Sequence, residues 1–246
     1  MLLKEKWQGA LYSLVVVLIL WQAVAWLLKL PIVPFPWAVC INIAEIFASK
    51  MEIHVLYSTG RVLAGIAIAM LLGIPLGFLM GYYEKVDKIL SPLVYFTYPV
   101  PKLALLPIVM LLFGLGETSK LIMIVIIIIF QIIITARDAV KDIPPEIFRS
   151  LKSLGANKLQ VFSEIILPAS LAEVLTSIRL ALGTAVSVLF FTETYGTEYG
   201  MGYFIMDAWL RVNYLDMYAG IVVLSFMGFC LFIAIDIAEK YLCSWR

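Results

Sequence analysis

The sequence predicts an all-α, polytopic membrane protein with about six transmembrane helices. Three observations carry this. Of 246 residues, 63% are hydrophobic and only 14% are charged, at a mean hydropathy of +1.01. A soluble core of this length has no room for so much apolar surface, so the bilayer is its solvent. Apolar runs recur at the ~20 residues that a helix needs to cross the hydrocarbon. The polar residues between them gather in one long interruption, 136–168, rather than spreading evenly.

Six runs qualify: 10–28, 58–82, 89–115, 121–136, 172–192 and 217–238. In the first, Ala23-Val24-Ala25 imitates a signal cleavage site, but the apolar run continues through Trp26-Leu27-Leu28, so the segment reads as an uncleaved span. With the stretch around Pro31 and Pro34 it makes residues 1–50 a first helix plus an external linker. Residues 51–238 read as one helical core and 239–246 as a tail.

The second span carries Gly65, Ala69, Gly73, Gly77 and Gly81 at four-residue spacing, all on one helical face. Such a ridge lets membrane helices approach closely, either for packing alone or as a low-friction contact between moving bundles. Pro75 should weaken the same helix locally and allow a bend. Pro92, Pro99, Pro101 and Pro107 argue against a straight third span. Lys102 lies near its middle, where a lysine faces protein or water and marks a pathway, or snorkels to the interface from a broken half-helix. The fifth span ends at Glu193, roughly 30 Å along its helix. That places Glu193 near the outer interface or the top of a central cavity; the plain alternative is a solvated loop carboxylate.

The polar interruption has an order of its own. Pro144 and Pro145 suit a first helical turn, and Glu146 favours the positive end of that helix. Gly155 stands where a left-handed residue ends it. Residues 156–167 form a second amphipathic helix through Leu159, Val161, Phe162, Ile165 and Ile166, with Pro168 either stopping it or marking entry into the next span. Basic residues set the orientation. With the N-terminus inside, Lys4, Lys6, Lys85, Lys88, Arg137, Lys141, Arg149, Lys152, Lys158, Lys240 and Arg246 all face the cytoplasm, which also takes the C-terminus and this loop.

Several function classes are unsupported. Net charge is +1, which implies no nucleic-acid partner. Cys40, Cys230 and Cys243 lack metal or disulfide spacing, and His54 stands alone, so no metal site is expected. Gly114-Leu115-Gly116-Glu117-Thr118-Ser119-Lys120 does not have P-loop spacing. No nucleophile–base constellation is visible, so the chain is not expected to be an enzyme.

Arg149-Ser150-Leu151-Lys152-Ser153-Leu154-Gly155-Ala156-Asn157 followed by Ile166-Leu167-Pro168 resembles the cytoplasmic coupling loop of ABC importer permeases. The branch serving sulfonates, taurine, nitrate and similar small solutes is nearest. Tyr98 to Pro107 and the Glu193…Gly200-Met201-Gly202-Tyr203 stretch resemble that branch too. Arg149 departs from the family, which places a glutamate there. The resemblance covers about 57–241 and implies the type I importer permease fold. It implies Glu146, Arg149, Lys152, Leu154, Gly155, Ala156, Asn157 and Pro168 as ATPase-coupling residues, and Lys102, Glu193 and Tyr195 as pathway or gate. Its expected partners are two ATPase chains that bind ATP and magnesium, a second permease copy, an extracytoplasmic solute-binding protein and membrane lipid. The chain itself needs no cofactor. It would translocate by alternating access in the inner membrane. A stand-alone channel or secondary carrier, or a non-transporting scaffold for an ATPase, is the alternative.

Overall fold

A computed structural model of the chain describes residues 2–243. Those residues are helical with no strand among them, as expected from the sequence. The side chains of Lys4 and Lys6, and Arg246, lie outside the described set. Helix α1 (Leu2–Leu28) is peripheral. Of its described side chains only Ala25 is buried, and Trp21 stacks on Tyr218 at 5.6 Å.

Pro36 opens α2 (Pro36–Ile46) from the first turn, where its missing N–H leaves no bond unmade. One wide turn, Phe47–Met51, then leads into α3 (Glu52–Tyr82) without a break, giving a 47-residue rod. At 1.5 Å per residue this is ~70 Å, more than twice the hydrocarbon thickness. The expected linker therefore shrinks to the stretch around Pro31 and Pro34, and the boundary drawn at residue 50 falls inside a helix. Lys50 and Glu52 imitate a loop in the sequence, but the rod simply exposes them. Pro75 sits inside α3, and the rod runs on past it.

The third span is broken as the prolines predict. Helix α4 (Glu84–Thr97) and α5 (Leu106–Phe113) meet at 82°, joined through a tight turn over Lys102–Leu105. Helix α6 (Glu117–Lys141) is the central element, with Met123, Ile124 and Ile128 wholly buried between α3 and α9 (Leu167–Glu193). The polar interruption holds α7 (Pro145–Ser153) and α8 (Lys158–Val161). Helices α10 (Met201–Leu210) and α11 (Tyr214–Leu242) complete the bundle.

The small-residue ridge of α3 faces α6 in a constant register. A Cβ at Gly65 would meet Ile124, at Gly73 Ile132, at Gly77 Ala136 and at Gly81 Val140. At Gly77 it would stand only 2.6 Å from the carbonyl oxygen of Ile133, so backbone approaches backbone there. This is the close packing that membrane helices achieve with small residues, because lipid gives them no hydrophobic drive to associate.

Candidate functional site

At the end of α9 a buried charge network ties four helices together, α3, α6, α9 and α10. Glu193 is fully buried. Its Oε1 accepts from Arg61 Nη1 at 2.6 Å, its Oε2 accepts from the Gly202 N–H at 2.8 Å, and Ser58 Oγ lies 2.8 and 2.9 Å from the two oxygens. Ser58 Oγ in turn accepts the Met201 N–H at 2.8 Å. Arg61 continues outward as a fork, with Nε 2.6 Å and Nη2 2.5 Å from the two oxygens of Glu117, and Nη1 2.6 Å from the Tyr199 carbonyl. Glu193 stands at the negative end of α9, an unfavourable place for a carboxylate. The guanidinium and the first N–H groups of α10 offset this, so the carboxylate serves as an N-terminal cap for α10.

Gly200 and Gly202 make that geometry possible. Gly200 has φ +143°, and a Cβ there would land on the Glu193 carboxyl group. At Gly202 a Cβ would lie 2.8 Å from Glu193 Cβ and 2.5 Å from the Phe190 carbonyl oxygen. His54 Nδ1 accepts the Gly200 N–H at 3.0 Å and thereby fixes the loop from the α3 side. Glu193 is thus no solvated loop carboxylate. Tyr195, two residues on, is 56% exposed, and no hydrogen bond or ring contact joins it to Lys102 or Glu193 among the described residues.

Lys102 occupies the bend of the broken span. Its Nζ donates to the Tyr98 carbonyl at 2.9 Å and lies 4.9 Å from the centre of the Phe130 ring. The cation thus caps the last turn of α4, where orphan carbonyls favour positive charge. The Gly-rich run before α6 is likewise turned on itself: Ser119 Oγ donates to the Gly114 carbonyl, and buried Lys120 donates to the carbonyls of Leu115 and Gly116 at 3.0 and 3.3 Å.

At the opposite end, α7 and α8 form a knob. Gly155 adopts φ +83°, with its N–H bonded to Lys152 O at 3.0 Å and that of Ala156 to Leu151 O at 3.3 Å, the paired closure that ends a helix at a left-handed residue. Asn157 and Gln160 cap each other's backbone N–H at 2.9 and 2.8 Å to start α8. Leu154 and Leu159 are 81% and 77% exposed, leaving an apolar tip. Glu146, Arg149 and Lys152 are exposed along α7. Pro168 does not stop the second loop helix. The chain widens into one turn over Phe162–Ile166 and continues into α9, so that α8, the turn and α9 form one 36-residue stretch from Lys158 to Glu193. The wide turn absorbs the N–H that proline lacks.

The sequence reading missed Arg61 and Ser58 as partners of Glu193, Glu117 as the second partner of Arg61, and two further clusters. Arg137 reaches Asp138, Ser91 and Tyr95 at 2.8–3.0 Å. Arg179 is tied to Asp236 and Glu239. The available signal was charge inside apolar spans, which requires partners. No group of metal-ligating side chains occurs among the described residues.

Comparison with known proteins matches residues 73–244 to the family described as "Binding-protein-dependent transport system inner membrane component". The taurine transport system permease protein TauC of Escherichia coli is 34% identical over 78% of this chain and 70% of its own length. The putative aliphatic sulfonates transport permease protein SsuC of Bacillus subtilis is 28% identical over 98% and 88%. The formylaminopyrimidine transport permease protein ThiX of Halalkalibacterium halodurans is 28% identical over 93% and 92%. Among solved structures, a chain of the inward-facing MetNI methionine ABC transporter superposes with a TM-score of 0.68 at 18% identity, covering 79% of this chain and 99% of that one. That likeness identifies the fold.

Proposed function

The chain belongs to the family of binding-protein-dependent transport system inner membrane components, and from that premise we propose that it is the translocating subunit of an ATP-driven importer for a small sulfonate-type solute. Two relatives are named for taurine and for aliphatic sulfonates, which supports this solute class. Two copies of the chain, a pair of ATPase chains holding ATP and magnesium, and an extracytoplasmic solute-binding protein complete the assembly. The exposed Leu93, Phe96, Ile108, Leu111 and Leu112 on the α4–α5 elbow offer a second copy an apolar surface to cover.

The observation that carries the proposal is the knob. A short helix, a left-handed glycine and a capped second helix present Leu154 and Leu159 to the outside. The second helix continues without a break into α9, so a push on the knob reaches Glu193 through one rigid rod. ATP-driven closure of the ATPase chains would move the knob, tilt α9 and exchange inward- and outward-facing cavities. Glu146, Arg149, Lys152, Ala156 and Asn157 support the docked geometry. Pro168 sits where knob and rod join. Lys102, Glu193 and Tyr195 belong to the moving parts, Lys102 at the elbow and Glu193 in the clamp.

The test is reconstitution with the ATPase and binding protein in lipid. Binding-protein-stimulated ATP hydrolysis and uptake of taurine and ethanesulfonate are measured for the parent and for Gly155→Val. A β-branched residue at φ +83° costs about 1–2 kcal/mol and displaces the tip. The variant is expected to reach the membrane but lose uptake and stimulation. Unchanged stimulation would remove the knob from the coupling pathway, and a parent that transports neither sulfonate would overturn the solute class.

A further inference from the structure

Between α7 and the ends of α3 and α6 lies an open notch of about 670 Å3, whose lining includes Tyr82, Tyr83, Lys141, Phe148, Arg149 and Lys152. Its charges are unequal in kind. Lys141 Nζ is held by Asp87 at 2.5 Å. Arg149 and Lys152 have no carboxylate within ion-pair reach among the described residues, and Lys152 rests over the Tyr82 ring at 5.5 Å. The notch therefore carries two uncompensated cations against an aromatic wall. A liquid water occupies ~30 Å3, so the volume admits a phosphodiester with its hydration.

A second feature leads into it. Ile68, Leu72, Leu79 and Tyr83 are all exposed, at 38%, 53%, 47% and 37%. Ile68, Leu72 and Leu79 share one face of the rod by their spacing, and Tyr83, the extended residue just past its end, lines the notch. From Ile68 to Tyr83 the strip is ~22 Å long at 1.5 Å per residue, the reach of one leaflet with its headgroup region.

We propose that this notch and strip bind an anionic phospholipid, with the phosphate headgroup at Arg149 and Lys152 and an acyl chain along Ile68, Leu72 and Leu79. Paired cations beside an apolar face at the end of a span are what an anionic lipid recognises. An acidic side chain or free phosphate satisfies the cations but leaves the strip unused. The site does not depend on the solute, and because Arg149 and Lys152 also belong to the docking knob, lipid binding is measured on the chain without the ATPase. It also gives Arg149 a role where the family offers a carboxylate.

The experiment uses the full chain purified in detergent. It is equilibrated with mixed dioleoylphosphatidylglycerol and dioleoylphosphatidylcholine, and the retained lipid is quantified by mass spectrometry. The parent should retain the anionic lipid in preference. Arg149→Gln and Lys152→Gln should each weaken its retention about fivefold, equivalent to ~1 kcal/mol per basic residue. Arg149→Lys should restore it, which separates lost charge from lost folding. Leu79→Ser should also lower retention without removing a cation. Equal retention of both lipids, parental retention in the Arg149→Gln/Lys152→Gln double variant, or complete displacement of the lipid by inorganic phosphate would each overturn the proposal, the last by making this a site for a soluble anion.

Discussion

Arg61 is the residue on which the buried network depends, because it alone links Glu193 to Glu117 and the Tyr199 carbonyl. Its two carboxylate partners differ in worth. Glu117 is 54% exposed and keeps water as an alternative partner, whereas Glu193 has none. Removing one member of a buried pair costs about 3–5 kcal/mol, mostly for the charge left behind. Arg61→Met should therefore lower thermal stability in detergent sharply. Glu193→Gln should cost less, since Arg61 keeps Glu117, and the Arg61→Met/Glu193→Gln double variant should be more stable than Arg61→Met alone. Thermal unfolding of the parent and three variants gives the coupling directly, and additive losses would show that the pair is not coupled. Glu193 could be picked from the sequence as an expensive ionisable group. Its partners could not, because Ser58 and Arg61 are more than 130 residues away along the chain and come together only on folding.

At the scale of elements, the α3–α6 contact follows from the four-residue spacing of small side chains, a pattern that local periodicity makes readable. The sequence does not say which helix the ridge meets. In the structure the answer carries a ranking. At Gly73 an added Cβ would be 3.1 Å from an isoleucine methyl group, which has some freedom to move. At Gly77 it would be 2.6 Å from a backbone oxygen of α6, which has none. Gly77→Ala should therefore destabilise assembly more than Gly73→Ala, read as the monodisperse fraction recovered in detergent; equal recoveries would place the tight crossing elsewhere. The elements that escaped the sequence are those where polarity misleads. Lys50 and Glu52 look like a loop but ride on a continuous rod, whereas of the two readings of Pro168 the structure has the entry into the next span, one wide turn after the loop helix. Proline and charge report only local preference, while the rod is held by its contacts with α6 and α11.

For the molecule as a whole, the expected orientation follows from where basic residues gather in short loops. At the Glu193 end, Arg61 is tied to two carboxylates, Lys120 to two carbonyls and Arg211 to Asp207 at 2.6 Å. At the knob end, Arg149 and Lys152 have no carboxylate partner among the described residues, and α7 and α8 present them with Lys158 on short exposed turns. Basic residues in short loops resist translocation, and the loop that holds the knob carries Lys141, Arg149, Lys152 and Lys158. The knob end is therefore expected in the cytoplasm and the Glu193 end outside. In a chain with Cys40, Cys230 and Cys243 replaced by serine, Ser153→Cys should resist an impermeant maleimide in intact cells and react in inverted vesicles. Glu198→Cys, on the exposed loop between α9 and α10, should show the opposite pattern. Labelling of Ser153→Cys in intact cells would invert the molecule, leaving the knob on the side away from ATP and removing the coupling mechanism with it.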